Sequence, residues 1–205
     1  MEKENAEALI VEKCAVIILA AGNSSRLGSP KQLLVYHNKT LIQNCIDHAK
    51  QVQAKPLIVV LGAHKELIKS QIDTLNITVV ENDNWESGMA SSITSAVKTL
   101  QDSFPDTDGL ILMVCDQPFV DWKILSKLLL KQKETGKAIV ASSYEGINGT
   151  PAFFHRSLFT ELLDLKGDSG AKKILEKYKN SLACVSFEAG SIDIDTSEDY
   201  KNLAK

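Results

Sequence analysis

The chain has 205 residues, of which 44% are hydrophobic, enough for one sizeable core and short for two independent domains. Its net charge of -3 provides no excess of positive charge for a nucleic-acid backbone, so we expect no nucleic-acid partner. No apolar run approaches the roughly 20 residues that cross a bilayer, and the charged residues 1–13 are unlike a signal or transit peptide, so we expect a cytoplasmic protein without membrane contact.

Short apolar runs alternate with amphipathic helical patterns along the chain. In order, the sequence predicts strand 14–20, helix 40–52, strand 56–61, helix 65–72, strand 77–81, helix 89–100, strand 110–115, helix 121–129, strand 138–142, helix 169–178, strand 182–187 and a helix from Ser197 onwards. Thr40 and Asp121 can cap two of these helices. The alternation predicts a Rossmann-like three-layer α/β/α fold with a mainly parallel sheet, in a single domain over residues 1–205 with residues 1–12 as a loose N-terminal extension.

The cysteines and histidines give no sign of a metal or redox centre. The cysteines form no CxxC pair, lie in apolar runs and are interpreted as small buried hydrophobes: Cys14, Cys45, Cys115 and Cys184. The histidines show no metal-ligand spacing, so we expect no zinc site.

A glycine- and serine-rich loop, residues 22–29, follows the first predicted strand, where ligands of parallel sheets bind. Small residues let backbone N–H groups approach phosphate oxygens closely, and Arg26 and Lys31 add two cations that suit a polyphosphate. The spacing matches neither the P-loop GxxxxGK[ST] nor the dinucleotide fingerprint GxGxxG, which also disfavours a redox enzyme. A plain turn with two solvated charges is the alternative interpretation.

The segment LAAGNSSRLGSPKQLL, residues 19–34, resembles the LAAGxSxRxGxxKxLL signature of the MobA-like NTP transferases, with the greatest similarity to their molybdenum cofactor cytidylyltransferase (MocA-type) branch. The resemblance implies a fold of the nucleotide-diphospho-sugar transferase type and a loop that wraps an NTP. Arg26 would meet the outer phosphates, Lys31 would neutralise the α-phosphate, and residues 20–22 would pack near base and ribose. The implied nucleotide-binding residues of this loop are Leu19, Ala20, Ala21, Gly22, Ser24, Ser25, Arg26, Gly28 and Lys31.

Two acidic segments are candidates for a metal site. Asp116 ends the fourth predicted strand, and Asp193 and Asp195 share one face of an extended segment, where two carboxylates repel each other unless a cation lies nearby. Helix capping is the alternative for both segments. They resemble the DQP or DMP segment and the DIDTPEDL ending of the family, with Ser197 in place of proline. The resemblance implies Mg²⁺ as cofactor, bound by Asp116 and Asp195, with Asp193 as a further candidate.

Three other segments resemble family motifs. Residues 85–92 match W..GMASS and would hold the nucleobase through Gly88, Ser91 and Ser92, although a helix cap explains them equally well and Trp85 fits either the core or a lid. Two more segments would line the acceptor side through Gly149, Pro151, Gly167, Asp168 and Gly170.

The resemblance implies an Mg²⁺-dependent nucleotidyltransferase with Lys31, Arg26 and Asp116 as catalytic residues. It would move NMP from an NTP to a phosphorylated acceptor and release pyrophosphate. Ala21 and Gln117 are typical of the cytidylyl branch, which favours CTP as the NTP and molybdopterin or the molybdenum cofactor as a pterin-type acceptor. A phosphate acceptor also needs no general base, and no histidine lies near the glycine loops or Asp116.

Several alternatives stay open at this stage. They are a GTP-dependent guanylyltransferase, a sugar-phosphate nucleotidyltransferase of the same fold, and a non-catalytic NTP-binding factor for molybdoenzyme maturation. The resemblance also suggests molybdoenzyme maturation proteins as partners.

Overall fold

A computed structural model describes residues 13–203 of the chain. The predicted extension, residues 1–12, lies outside the described residues. The strands are β1 Cys14–Ala20, β2 Val35–Tyr36, β3 Lys39–Thr40, β4 Leu57–Leu61, β5 Thr78–Glu81, β6 Gly109–Val114, β7 Ile139–Tyr144, β8 Ile147–His155 and β9 Ala183–Ser186. The helices are α1 Leu41–Gln51, α2 Lys65–Lys69, α3 Met89–Ser103, α4 Trp122–Thr135, α5 Phe159–Leu163, α6 Lys172–Lys177 and α7 Ser197–Leu203.

Within the described part of the chain, seven strands form a central sheet in the order β5-β4-β1-β6-β8-β7-β9. β1 pairs in parallel with β4 and β6, β4 pairs in parallel with β5, and β9 pairs in parallel with β7. Only β8 runs antiparallel to both of its neighbours. The prediction of a three-layer α/β fold with a mainly parallel sheet is therefore confirmed.

Strand β8, which lies inside the sheet between β6 and β7, is not predicted from the sequence. Gly149 and Pro151 interrupt the apolar pattern there, because both residues weaken a predicted strand. The strand is nonetheless well anchored, since the fully buried Phe153 and Phe154 pair with Ile111 and Leu110 of β6. Helix α5 and the short β2–β3 hairpin were also missed.

The sheet separates two apolar layers. Val16 and Ile18 of β1 pack in a cluster with residues of α1 and α4, whereas Ala15 and Ile17 pack in a cluster with residues of α3, α5 and α6. This alternation is the period-two pattern of a strand that is buried on both faces. The predicted caps are present: Thr40 and Gln43 form a reciprocal capping box at α1, and the Asp121 carboxylate accepts from two backbone N–H groups of α4.

The parallel strands β1, β4, β5 and β6 end at the same edge of the sheet, which we call the carboxyl edge. The loop after β1, the turn after β4, the segment after β5 and Asp116 after β6 therefore lie along this edge. None of the helices in residues 13–203 is long and apolar enough to cross a membrane.

Candidate active site

The loop after β1 lies at the carboxyl edge and is stabilised by hydrogen bonds among its own residues. The Ser24 hydroxyl accepts from the Lys31 backbone N–H at 2.9 Å, and the Asn23 side chain accepts from the Ser25 N–H at 3.2 Å. Ser24 and Gly28 both have positive φ, 55° and 71°, where glycine is favoured and other residues are strained. Of the predicted nucleotide contacts, Leu19, Ala20 and Ala21 are buried, whereas Gly22, Ser25, Arg26 and Gly28 are exposed.

Lys31 connects the two predicted acidic segments. Its Nζ donates to Asp116 Oδ2 at 2.6 Å and to Asp195 Oδ1 at 2.9 Å, and Arg26 Nη2 donates to Asp195 Oδ2 at 2.8 Å. These residues are 85 to 169 positions apart in sequence. The structure thus brings together four of the predicted site residues, two cations and two carboxylates.

The charges of this group shift the titration of its members. Burial disfavours the charged form of Lys31, but the Asp116 and Asp195 carboxylates outweigh it and raise the pKa of Lys31 above its ordinary value. Hydrogen bonding from Lys31, followed by the charges of Lys31 and Arg26, lowers the pKa of Asp195. Asp193 is exposed as a residue, yet burial of its carboxyl and then the negative charges of Asp116 and Asp195 raise its pKa to about 6.

Backbone contacts hold the acidic segments together. The Ile194 N–H donates to the Asp116 carbonyl at 2.9 Å, and Gln117 Nε2 donates to the Gly190 carbonyl at 2.7 Å. The Gln117 amide oxygen accepts from the Thr150 hydroxyl at 3.2 Å. The sequence indicates Gln117 only as a marker of base choice. The structure shows that its buried side chain links the segment after β6 to β8 and to Gly190 through hydrogen bonds.

The capping interpretation of the acidic ending also holds, with Thr196 as the capping residue. Asp199 Oδ2 accepts from the Thr196 N–H at 2.7 Å and the Asp195 N–H at 3.1 Å, while the Thr196 hydroxyl accepts from the Asp199 N–H at 3.2 Å. Asp199 and Thr196 therefore cap the start of α7, and the Asp195 side chain is left to face Lys31 and Arg26.

The donor set suits a divalent cation together with substrate phosphates. Within residues 13–203 no group of three or more histidine, cysteine, aspartate or glutamate residues is arranged as a metal site. Two carboxylates nevertheless converge on one cation, the Lys31 ammonium, and the buried Asp116 Oδ1 has no hydrogen-bond partner in the described chain. Mg²⁺ and Mn²⁺ accept such hard oxygen ligands, and Mg²⁺ usually combines one or two carboxylates with phosphate oxygens. Asp116 and Asp195 could therefore bind a divalent cation if Lys31 gives up its hydrogen bond to one of the two carboxylates.

The segment after β5, residues 82–92, is stabilised by hydrogen bonds of its own polar side chains. Asn82, which is 2% exposed and was missed by the sequence analysis, donates through Nδ2 to the hydroxyls of Ser91 at 2.8 Å and Ser92 at 3.0 Å. The Ser91 hydroxyl lies 2.9 and 2.8 Å from the carbonyls of Asn84 and Gly88 and can donate to one of them at a time. Both predicted nucleotide-binding serines therefore make hydrogen bonds within the protein.

Trp85 packs against the apolar core beside the loop after β1. It is partly buried against the cluster that contains Ala21. A Cβ atom at Gly62 would lie 2.6 Å from the Trp85 Cβ and 2.8 Å from the Ala21 carbonyl oxygen, so the turn after β4 touches both. The structure therefore places Trp85 at the border of the core, half-buried.

The predicted acceptor residues fall into two separate groups. The Gly167 carbonyl accepts from the Ala90 N–H at 3.1 Å, and a Cβ atom at Gly88 would lie 2.5 Å from Asp168 Oδ1, so the loop 167–170 packs on the segment predicted to hold the base. Gly170 similarly faces the Met89 sulfur. Gly149 and Pro151 instead belong to β8, where their neighbour Thr150 contacts Gln117.

A cavity of about 1370 Å³ lies at the opposite edge of the sheet. Lys13, Cys14, Pro56 and Thr78, which line it, precede or begin the parallel strands β1, β4 and β5. None of the predicted site residues lines this cavity. The candidate active site is therefore the charged group at the carboxyl edge and not this cavity.

Nucleotidyltransferases are the class that this fold and family comparison define. The family model of the MobA-like NTP transferase domain matches residues 16–182. Because the match covers most of the chain, the protein belongs to the MobA-like NTP transferase family, which confirms the resemblance found in the sequence.

Curated relatives carry several different activities in their names. The chain is 27% identical over 199 residues to nicotine blue oxidoreductase of Paenarthrobacter nicotinovorans, with 91% of this chain and 94% of the relative covered. It is 23% identical over 184 residues to molybdenum cofactor cytidylyltransferase of Escherichia coli (strain K12), with 90% and 92% covered. It is 25% identical over 178 residues to the bifunctional protein GlmU of Buchnera aphidicola, but these cover 84% of this chain and only 37% of GlmU.

Among solved structures, the manganese complex of Rv0371C from Mycobacterium tuberculosis H37Rv superimposes with a TM-score of 0.78. The two sequences are 28% identical, and the match covers 93% of this chain and 97% of the other. The manganese was bound by that protein.

Proposed function

We propose that this nucleotidyltransferase transfers CMP from CTP to a phosphorylated pterin-type acceptor, molybdopterin or the molybdenum cofactor, and releases pyrophosphate with the help of Mg²⁺. The observation that carries the proposal is the Lys31 ammonium between Asp116 and Asp195, beside the glycine-rich loop. This group offers cationic donors to phosphate oxygens and carboxylates to a divalent ion at one place.

In the proposed reaction an oxygen of the acceptor phosphate attacks the α-phosphorus of the NTP, and the bond from the α-phosphorus to the bridging oxygen of pyrophosphate breaks. Lys31 would leave Asp116 or Asp195 and donate to the α-phosphate oxygens, while the exposed Arg26 would meet the departing pyrophosphate. A bound divalent ion would supply further stabilisation of phosphate charge. Backbone N–H groups of Gly22 and Asn23 would orient the triphosphate.

The finer choices of substrate rest on similarity and on a few residues. CTP and the pterin acceptor are supported by the E. coli cytidylyltransferase relative and by Ala21 and Gln117. We propose Gly149 and Pro151 for the acceptor side, and Gly88 with residues 167–170 for the boundary between base and acceptor, because these two segments pack together. Gln117 would act by holding β8 near Asp116 rather than by touching the base, since its side chain is buried.

One observation favours a second candidate, an oxidoreductase activity: the similarity to nicotine blue oxidoreductase over nearly the whole chain. The charged group of Lys31, Arg26 and the two carboxylates offers cations for a polyphosphate in either case. The two candidates differ in their products, since only a nucleotidyltransferase releases pyrophosphate from an NTP.

The test combines purified protein, Mg²⁺ or Mn²⁺, molybdopterin and each of the four NTPs in turn, with detection of pyrophosphate. We expect release with CTP and acceptor together, and its loss in Asp116→Asn. Asp106→Asn is the matched control, because it removes an ion-paired carboxylate near the opposite edge of the sheet, 3.2 Å from Lys13 Nζ. NTP binding without pyrophosphate release would favour a non-catalytic maturation factor. In a separate assay, reduction of added nicotine blue by NADH or NADPH, without pyrophosphate release from any NTP, would favour the oxidoreductase.

A further inference from the structure

Gln32 is buried beneath the glycine-rich loop. It follows Lys31 in a short 3-10 helix, Lys31–Leu33, and is 1% exposed. Its Nε2 donates to the carbonyl oxygens of Ala20 and Gly22, both at 2.9 Å. Both partners can only accept, so the amide nitrogen of Gln32 must face them.

These bonds determine where the amides of the loop point. In a trans peptide the C=O and the following N–H point in opposite directions. When Gln32 holds the carbonyls of Ala20 and Gly22, the N–H groups of Ala21 and Asn23 therefore point away from it. The intervening carbonyl, that of Ala21, accepts from the Ala63 N–H at 3.0 Å, which turns the Gly22 N–H away from the turn after β4.

Gln32 and the Ala63 N–H thus hold the three successive carbonyls of residues 20–22. The N–H groups that follow these carbonyls point away from Gln32 and from the turn after β4. Gly22 and Asn23 are exposed residues, whereas Ala21 is buried, so the amides of Gly22 and Asn23 are the ones that a ligand can approach. Successive N–H groups in a turn form a concave site for anions. The geometry needs a side chain with two amide protons at position 32, which an apolar residue does not provide.

The retention of a polar residue here has a cost. The buried Gln32 Oε1 has no hydrogen-bond partner within residues 13–203, and leaving a buried acceptor unpaired is unfavourable. A methionine or leucine would fill the same volume without that cost. A role for the two Nε2 bonds explains why glutamine stands here, at a position that the family signature leaves open.

We propose that Gln32 is a positioning residue that orients the loop so that the amides of Gly22 and Asn23 face the polyphosphate of the substrate. The inference rests on the proposed function where it takes the NTP as that substrate. It predicts that loss of the Gln32 donors weakens binding of any polyphosphate, with or without a nucleobase.

The test compares Gln32→Met, which keeps the length of the side chain and removes both donors, with Gln132→Met. Gln132 is another buried glutamine, 2% exposed, in α4 and outside the charged group. Calorimetry measures the Kd of CTP and of inorganic tripolyphosphate, steady-state kinetics measure KM and kcat, and thermal unfolding measures Tm. We expect Gln32→Met to raise both Kd values and the KM for CTP about 10- to 100-fold, with a smaller change in kcat. Gln132→Met should lower Tm and leave both Kd values within about twofold of the wild type.

The outcomes separate this inference from the proposed function. If the wild type binds tripolyphosphate but releases no pyrophosphate from any NTP, the proposed function fails and the comparison of the two variants still decides the role of Gln32. Unchanged Kd values in a folded Gln32→Met protein overturn the inference, as does a wild type that binds no tripolyphosphate. If Gln32→Met does not fold, nuclear magnetic resonance of the wild type replaces it: tripolyphosphate should shift the amide signals of Gly22 and Asn23, and unshifted signals overturn the inference.

Discussion

Replacing Lys31 with methionine tests the charged group directly. The substitution removes the ammonium 2.6 Å from Asp116 Oδ2 and 2.9 Å from Asp195 Oδ1 and leaves both carboxylates without their shared partner. Removing one partner of a fully buried ion pair costs about 3–5 kcal/mol. The side chains of Asp116 and Asp195 are 22% and 38% exposed, so water screens part of this cost. We expect the free energy of unfolding at pH 7.5 to fall by about 1–3 kcal/mol.

The loss of unfolding free energy in Lys31→Met should be smaller at low pH. The raised pKa of Lys31 means that its stabilisation is complete below the ordinary pKa of lysine and is lost only as the pH rises through the folded-state value. The lowered pKa of Asp195 means that its stabilisation is complete above the ordinary pKa of aspartate and is lost as the pH falls through the folded-state value. The difference between wild type and Lys31→Met is therefore full at pH 7.5 and shrinks at pH 3.

A divalent ion should restore part of the lost stability, because it can take the place of the ammonium between the carboxylates. Urea unfolding is measured in EDTA and with Mn²⁺, with an expected gain of about 2.7 kcal/mol at a hundredfold excess of Mn²⁺ over its Kd. The wild type should gain less, since Lys31 competes for the same oxygens. Pyrophosphate release by Lys31→Met should fall roughly 10²- to 10³-fold.

The matched control is Lys39→Met, which removes the surface ion pair with Asp47. Those side chains are 56% and 42% exposed, so water screens the pair, stability should change by less than about 0.5 kcal/mol, and Mn²⁺ should have no special effect. Wild-type stability of Lys31→Met in EDTA, together with an equal response of both proteins to Mn²⁺, would refute the reasoning.

Three further predictions concern the surroundings of this group. The pKa of Asp193 is raised to about 6, so its carboxyl group makes the fold lose stability as the pH rises from 3.8 to that value. Asp193→Asn should therefore raise the free energy of unfolding in EDTA at pH 7.5 but not at pH 3. The gain should be at most about 1 kcal/mol, because the residue is exposed. Gly88→Ala should lower stability by about 1–3 kcal/mol in urea unfolding and raise the KM of both substrates, because its φ is 95° and its Cβ would meet the Gly167 backbone at 2.5 Å. Thr150→Val should cost about 1 kcal/mol in thermal unfolding and weaken Mn²⁺ binding in calorimetry, because the Gln117 amide oxygen loses its donor.

Each of these predictions has a result that contradicts it. A destabilised Asp193→Asn at pH 7.5 would mean that the carboxylate is stabilised by its neighbours rather than repelled. Full activity and stability of Gly88→Ala would mean that the loop 167–170 does not need its close contact. Thr150→Ser, which keeps the hydroxyl, is the control for Thr150→Val, and equal Mn²⁺ affinity in the two variants would remove the link from Thr150 to the metal site.

The sequence predicted most of the fold because its signals are local. Continuous apolar runs indicated β1, β4 and β6, and the caps at Thr40 and Asp121 lie within three residues of the groups they bind. The failure at β8 has the same origin: Gly149 and Pro151 weaken the local pattern, while β6 and β7 on either side supply the hydrogen bonds that stabilise this strand.

The candidate site could be predicted as a set of residues but not as an arrangement. Motif resemblance named Arg26, Lys31, Asp116 and Asp195, and the structure places them in hydrogen-bond contact. Motif resemblance did not indicate that Asn82 donates hydrogen bonds to Ser91 and Ser92. No motif pointed to Gln32, because its role depends on the carbonyls of Ala20, at the end of β1, and of Gly22, in the loop.

By itself, the sequence determined the kind of elements, the family and the charged residues available for chemistry, because periodicity, caps and motifs act over a few neighbouring positions. Only the tertiary structure decided that the Lys31 ammonium lies between Asp116 and Asp195, 85 and 164 positions away. That contact requires the order of strands in the sheet, which brings the ends of distant segments to one edge, and strand order is a property of the packed core rather than of any local pattern.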